Sequence, residues 1–557
     1  MGSERLDAAK RFLVQEMETR KVPGFSIAIV EGTDVTWSRG FGYSNVEQKI
    51  HASAETVYRV ASVSKPVITT GLLQWMERGK FRLDDSVNRL LRSVKIETKF
   101  KEQPTVRNLL SHTSGLPVHV DPVCFELKDA VPLEEMIGKS AITILPPNRE
   151  IMYANTAFNI VGYLVGLFAG EPYPAYMKKN VFDPLEMGSS AFEQSPKIRG
   201  LMAKPYSRNK PEDPLEAVRP WYGGSNPEKP CGSLFSSVTD LGNFLIAQMN
   251  GGVYKGRRIL KESTTQEMHK LQASAGVSRS GYALSWKRTW HYGKLLLSHT
   301  GGNLGWTAHV AFYPELKVGV AILCNMNDNS GWRPPAEKAL HLLTGGTISF
   351  DPQSARTEVT QLKGLTGTYS REFQKGQVKL EGNVLVLERG PEKSYLEKLD
   401  ETRYLVHGGG SDGKELTFEL DEKGIAKQFD LETEVFRRYS EDKRPVDRSA
   451  DLTGTWHGDY VHPHGYFTMD MRVESQTNAA VADMDGKMIP IKGFKADQGK
   501  VTGTTTFKIL PNYVGWGANE FQVTLDLAAI EGSLEGYMNM KSKIGESKVQ
   551  LILTKVK

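Results

Sequence analysis

Cysteine is scarce: three residues in 557, at Cys124, Cys231 and Cys324, unevenly spaced and with no Cys-x-x-Cys. That excludes a disulfide framework and a thiolate zinc cluster, and leaves buried thiols as the expectation. Long apolar runs are also missing. The most apolar stretch, 160–170, is far below the ~20 residues a spanning helix requires, so no membrane span is expected. Charge of one sign is lacking too: 70 basic against 65 acidic residues leave only +5, which gives no basis for a nucleic-acid partner. The first ten residues are charged and have no apolar centre, so no signal peptide is visible. The expected compartment is the cytoplasm, or outside the cell if a leader was trimmed.

What is present is ordinary globular material, 39% hydrophobic and 24% charged. There is too much of it for one core, and a prior of ~150 residues per domain suggests three or four domains. Within it one stretch stands out, Tyr58-Arg-Val-Ala-Ser-Val-Ser-Lys-Pro-Val67. Pro66 is tolerated only near a helix start, so a helix should begin within about a turn before it. On that helix Ser62 and Lys65, three residues apart, share a face, whereas Ser64 points elsewhere. A serine at the positive end of a helix, beside a partly desolvated amine able to take its proton, is a candidate nucleophile with its base. The bland alternative is an N-capping serine followed by a solvated lysine.

Residues 6–19 carry helical apolar spacing. Phe25-Ser-Ile-Ala-Ile-Val30, a Gly32 turn and residues 34–41 read as a hairpin, and capped helices are expected at 83–91 and 105–110. Helices dominate to about residue 250. Strand signals return at 282–286, 295–298, 308–313 and 318–324, ahead of a helix at 335–343. A polar linker at 346–362 closes this first domain, 1–345. Beyond it short alternating strands prevail, and Leu365-Thr-Gly-Thr-Tyr369 recurs as Leu452-Thr-Gly-Thr-Trp456. That repeat suggests two related small antiparallel β-barrel domains, 363–445 and 450–557.

Two further motifs join the serine. Tyr153-Ala-Asn155 opens an apolar helix expected at 157–168. Tyr153 could act as base or relay, and Asn155 could orient Lys65 or meet a substrate amide. His299-Thr-Gly-Gly302 follows a strand, and its small residues Thr300 and Gly301 let a substrate lie along the strand edge. His299 could present a donor there. The backbone N–H groups of Ser62 and Gly302 could form an oxyanion hole, a device worth about 2.7–4 kcal/mol per donor. In this order, Ser62-x-x-Lys65, Tyr153-x-Asn155 and His299-Thr-Gly301 resemble the three motifs of the serine β-lactamase and penicillin-recognising hydrolase superfamily. Leu109-Leu-Ser-His-Thr-Ser-Gly-Leu-Pro117 also looks familiar. The resemblance covers roughly 5–345. It implies an α/β (α+β) catalytic domain with a mixed sheet and a helical subdomain, an acyl-enzyme on Ser62, and no metal or organic cofactor. Tyr153 in place of serine, His299 in place of lysine and two trailing β domains look most like the D-aminopeptidases and class C-like esterases of that group.

Three decoys compete. His112-Thr-Ser-Gly115 mimics the third motif but follows a helix, which suits packing better than chemistry. Gly409-Gly-Ser-Asp-Gly413 fits a nucleophile elbow but lies between two strands, as a hairpin turn would. His457, His462 and His464 cluster without carboxylate or cysteine spacing. The leading expectation is a serine hydrolase of amides or esters acting on a small molecule or short peptide, with homo-oligomerisation open. A β-lactamase or DD-peptidase-like penicillin-binding protein is the alternative enzyme, and a non-catalytic scaffold is the alternative class. The segment Ile509-Leu-Pro-Asn-Tyr-Val-Gly-Trp-Gly-Ala518 is expected either to reach across the cleft or to pack on its own barrel.

Overall fold

The structure is a computed structural model. It describes residues 3–555 apart from short stretches, of which the longest are 117–131, 219–228, 327–331, 353–361, 439–446, 483–487 and 509–519. Cys124 and the 509–518 segment therefore lie outside the described residues, as do the side chains of His462 and His464. Two compact units emerge. One comprises Met1–Leu116, Val123–Thr366 and Val378–Val435, and the other gathers Gly367–Gln377 with Phe436–Lys557.

Helix α1 (Ser3–Arg20) leads into β1 (Gly24–Glu31), β2 (Asp34–Asn45) and β3 (Ile50–His51). After the helical region come β4 (Ala273–Ser274), β5 (Gly281–Tyr282), β6 (Lys287–His291), β7 (Lys294–Asn303), β8 (Trp306–Tyr313) and β9 (Val318–Cys324). They form one nine-stranded sheet in the order β4-β5-β6-β7-β8-β9-β1-β2-β3. The mixed sheet implied by the resemblance is antiparallel at each of these pairs. The near-continuous apolar run of β1 follows from burial on both faces. Phe25, Ile27 and Ile29 turn toward α1 and the helix Arg333–Leu343, whereas Ala28 and Val30 face the larger helical core. Phe25 stacks on Trp332 at 4.4 Å between centroids, the kind of aromatic contact worth about 0.5–1.5 kcal/mol beyond its area.

Two expected elements came out shorter. The strand at 282–286 ends at Tyr282, because Ser285 turns into the left-handed region (φ 69°) and gives its N–H to the Leu110 carbonyl at 2.7 Å. The helix at 83–91 contracts to Val87–Leu90, and Ser86 makes no side-chain cap. The helix at 105–110 is there as Val106–Leu110, with Thr105 and Asn108 closing a reciprocal cap.

Eight strands, from Gly367–Arg371 to Glu434–Arg438, close into an antiparallel barrel. Gly409–Ser411 is a single turn between Arg403–His407 and Glu415–Leu420, so the elbow-like motif is a hairpin connection. The last strands form a nine-stranded antiparallel sheet with Met488–Pro490 and Lys492–Asp497 at its edges. Thr505 Oγ1 reaches the Pro490 carbonyl at 3.3 Å, which draws those edges together. The repeated pentapeptide has a shared physical purpose. Gly367 (φ 156°) and Gly454 (φ 116°) each leave room for a last-strand cation, Arg438 or Lys555, which lies 5.7 and 5.6 Å over the ring of Tyr369 and Trp456 respectively.

Candidate functional site

Ser62 sits on a single 3₁₀ turn, Ala61–Val63, that runs into α2 (Ser64–Glu77). Ala61 is held at φ +46°, a strained setting for a residue with a Cβ. The turn is fixed from outside. Val60 donates its N–H to Leu234 O at 2.9 Å, and Ser64 Oγ donates to Ala61 O at 2.6 Å while accepting the Leu234 N–H at 3.1 Å. Ser64 therefore spends its hydroxyl on the scaffold, and Ser62 remains on the face of Lys65.

Lys65 is fully buried. Its ammonium donates to Ser62 Oγ at 3.0 Å, Asn155 Oδ1 at 2.8 Å and the Cys231 carbonyl at 2.9 Å, three acceptors for three N–H bonds. It also lies 4.9 Å from the ring centroid of Tyr153 and 5.5 Å from that of Phe158. The Tyr153 hydroxyl also hydrogen-bonds Ser62, so a phenol and an amine both contact the serine. Burial pushes the Tyr153 phenol above its usual range, so it rests protonated. Lys65 and Tyr153, the two groups expected to act on the serine's proton, thus both reach Ser62. Asn155 begins the helix Asn155–Ala169 and orients Lys65 as expected.

The third motif lies on β7. Its neighbour β6 pairs only as far as Ser298, and from His299 to Asn303 the partner among the described residues is β8. The open edge faces the serine. A Cβ at Gly301 would stand 2.0 Å from Val60 O and 3.2 Å from the Ser62 nitrogen, so only glycine fits, whereas Gly302 faces open space. His299 is 5% exposed. Its Nδ1 lies 2.7 Å from the Thr300 carbonyl, which can only accept, so Nδ1 carries the hydrogen and Nε2 offers a lone pair. Nothing among the described residues meets that Nε2. Burial, with Lys65 adding to it, pulls the imidazole down to about 3. The expected donor at His299 is thus corrected to an acceptor.

Two contributors escaped the sequence. The Cys231 carbonyl is a backbone group that any residue type could supply, so no sequence signal marks it. Arg59, pulled by burial down to about 9, donates to the adjacent Gly232 carbonyl at 3.1 Å and braces the same turn. His112, dismissed as packing, is fully buried and stacked on Tyr153 with centroids 4.3 Å apart. Among the described residues no group of histidine, cysteine and carboxylate side chains has metal-site spacing; His457 instead pairs with Asp470 at 2.5 Å. None of the described helices is long and apolar enough to cross a membrane.

A family model described as beta-lactamase matches residues 9–343. Protein flp of Staphylococcus aureus strain N315 is 24% identical over 340 residues, covering 57% of this chain and 62% of flp. Human putative beta-lactamase-like 1 is 23% identical over 345 residues, 60% of this chain and 66% of that protein. The chain thus spans less than two thirds of the length of these relatives. Among solved structures, the octameric penicillin-binding protein homologue from Pyrococcus abyssi is 26% identical with a TM-score of 0.53, covering 78% of this chain and 99% of that one. The D-amino acid amidase of Ochrobactrum anthropi SV3 with D-phenylalanine, 21% identical at a TM-score of 0.52 over 62% of this chain and 99% of its own, shares the fold.

Proposed function

The chain belongs to the beta-lactamase family, and from that premise we propose that it is a serine hydrolase that cleaves an amide or ester through an acyl-Ser62 intermediate. The observation that carries this reading is one serine in contact with both an ammonium 3.0 Å away and a phenol that hydrogen-bonds it. In the acylation step Ser62 Oγ bonds to the substrate carbonyl carbon. Its proton passes to Tyr153 Oη, Tyr153's proton passes to the leaving nitrogen or oxygen, and the bond to that atom breaks. Lys65 stabilises the negative charge growing on Oγ, and the N–H groups of Ser62 and Gly302 receive the carbonyl oxygen. Water repeats the sequence in reverse to free the acid. Substrate lies along the open edge of β7, beside Thr300 and Gly301.

Within that class, an aminopeptidase or amidase reading is favoured over a carboxylate-recognising peptidase. A buried neutral imidazole with a free lone pair complements an N–H on the substrate and repels a carboxylate. The D-amino acid amidase shares this fold, which agrees with that preference. Mass spectrometry after incubation with a fluorophosphonate, and separately with benzylpenicillin, tests the class. An adduct on Ser62 is expected with the first, and its absence under all conditions would return the chain to a scaffold role. A panel of amino-acid p-nitroanilides against p-nitrophenyl esters and N-acylated, carboxylate-terminated peptides then sorts the substrates. We also propose self-association, because the Pyrococcus protein is octameric; a monomer mass by light scattering would overturn it.

A further inference from the structure

We propose that His112 is a positioning residue for Tyr153: by gripping the backbone on both sides of the tyrosine and stacking on its ring, it holds the phenol on Ser62. This rests on the proton-relay role given to Tyr153 above. His112 follows the helix Val106–Leu110 and stands at φ +59°, an uncommon setting for a histidine and one that marks a site where surrounding contacts dictate the backbone. Those contacts converge on three consecutive residues. The His112 carbonyl accepts the Met152 N–H at 2.7 Å. Its ring Nδ1 accepts the Ala154 N–H at 3.0 Å. Between those anchors, the imidazole lies against the Tyr153 ring at 4.3 Å and 25°.

The need for such a clamp follows from local structure. Residues 151–154 belong to no helix or strand, and the helix behind them starts only at Asn155. Nothing in the regular backbone ladder therefore fixes where Tyr153 points. Histidine is the side chain that supplies both parts of the grip, an acceptor one bond from Cγ and a flat face. Phenylalanine keeps only the face; asparagine keeps only the acceptor and tolerates the left-handed backbone. The ring is itself wedged, with Phe158 at 5.1 Å and Tyr282 edge-on at 4.8 Å. Burial and the neighbouring Lys65 and His299 keep it neutral, so Nδ1 stays an acceptor.

The test compares His112→Asn, His112→Gln and His112→Phe, each alone and combined with Tyr153→Phe. The readouts are kcat and KM for p-nitrophenyl butyrate, the rate of Ser62 labelling by a fluorophosphonate, and the melting temperature. Gln and Phe, which offer no acceptor where Nδ1 sits, should lower kcat and the labelling rate by about ten- to a hundredfold with KM little changed. Asn should recover most of that loss. In the Tyr153→Phe background all three should cost little more, because the group being positioned is already gone. Should Phe fail to fold, the Asn-against-Gln contrast carries the same comparison between two amides. Gln at the native rate, Asn no better than Gln, or equal losses with and without the Tyr153 hydroxyl would each overturn the assignment. If Tyr153→Phe alone turns over at the native rate, the relay role fails and this proposal falls with it. A crippled Tyr153→Phe beside silent His112 variants would sink the positioning role alone.

Discussion

Among the described lysines Lys65 and Lys414 are the most withdrawn from solvent, at 0% and 1% exposure, and the protein treats them in opposite ways. Lys414, in the hairpin between two barrel strands, meets a carboxylate: Glu337 Oε2 of the helix Arg333–Leu343 is 2.8 Å away, with Thr289 Oγ1 at 3.3 Å. Around it, Glu432 takes Arg333 at 2.7 Å and also Lys287, and Lys338 meets Asp412 at 3.1 Å. Lys65 is held by uncharged oxygens of a serine, an asparagine and a backbone carbonyl. Each burial costs several kcal/mol of lost hydration. At the seam formal charge offsets that cost and cancels the field. At the site the three oxygens that take the Lys65 N–H bonds are dipoles, which hold the ammonium beside the hydroxyl where the proposed acylation builds negative charge.

Exchanging the two lysines for methionine breaks the comparison most directly. Lys65→Met should cut turnover by about a thousandfold or more while the melting temperature moves by only a few degrees, and Ser62→Ala combined with it should be little worse than either alone. Lys414→Met should do the reverse. It leaves Glu337 buried without its partner, at about 3–5 kcal/mol of stability, with kcat per folded molecule unchanged. Replacing Glu337 by methionine as well should return at least half of that loss. Urea unfolding monitored beside initial rates reads both axes. A Lys65 variant that lost stability instead of turnover would end the distinction.

How much of this contrast was legible in sequence depends on whether a contact is local. Ser62 and Lys65 meet because helical spacing of three residues makes them meet, and Tyr153 and Asn155 were visible as polar residues at the mouth of an apolar helix. The alternation of the barrel strands and the Leu-Thr-Gly-Thr repeat could likewise be read directly. What could not be read is tertiary. The Cys231 carbonyl carries no residue identity. The tautomer of His299 is set by the neighbouring Thr300 carbonyl, whose direction depends on the path of β7. His112 reads in sequence as a packing residue behind a helix, and it does follow one; that its ring lies on Tyr153 depends on the meeting of segments some forty residues apart. The expected strand beyond Tyr282 lost to a tertiary hydrogen bond, Ser285 N–H to Leu110 O.

Asp430 sharpens the comparison from the seam side, because it is a buried charge held there by dipoles alone. It is fully buried and accepts the Val277 and Ser278 N–H groups at 2.6 and 3.0 Å and Gln428 Nε2 at 3.1 Å. Desolvation nonetheless raises it from 3.8 to about 6. The folded protein therefore binds this proton more tightly than the unfolded chain. Stability from this group is present at acid pH and is lost as pH rises between about 4 and 6, a change on the order of 2 kcal/mol after allowance for solvent screening. Asp430→Asn should remove that dependence. The difference in unfolding free energy between native protein and variant, measured from pH 4 to 7, should slope in this window and flatten above it; a level difference would show the carboxylate to be solvated like a surface one.

The smallest expected effect concerns His299, the other neutral group that faces the field of Lys65. With the imidazole drawn down to about 3, its folded form stays uncharged while the unfolded chain would protonate near 6.5. Its contribution to stability is thus present above about 6.5 and lost as pH falls toward 3, and kcat/KM should carry no His299 limb between pH 5 and 8. A lysine there would replace a lone pair with a second cation in the neighbourhood of the first, turning an acceptor for substrate N–H groups into a partner for carboxylates. His299→Lys should therefore raise kcat/KM for a carboxylate-terminated substrate over its amide counterpart by roughly tenfold, about 1.4 kcal/mol. The measurement is the ratio for a matched acid and amide pair, taken at pH 7 with native protein and variant side by side. An unchanged ratio would mean that the Nε2 lone pair does not meet the end group of the substrate, and the amidase preference argued from it would lose its support.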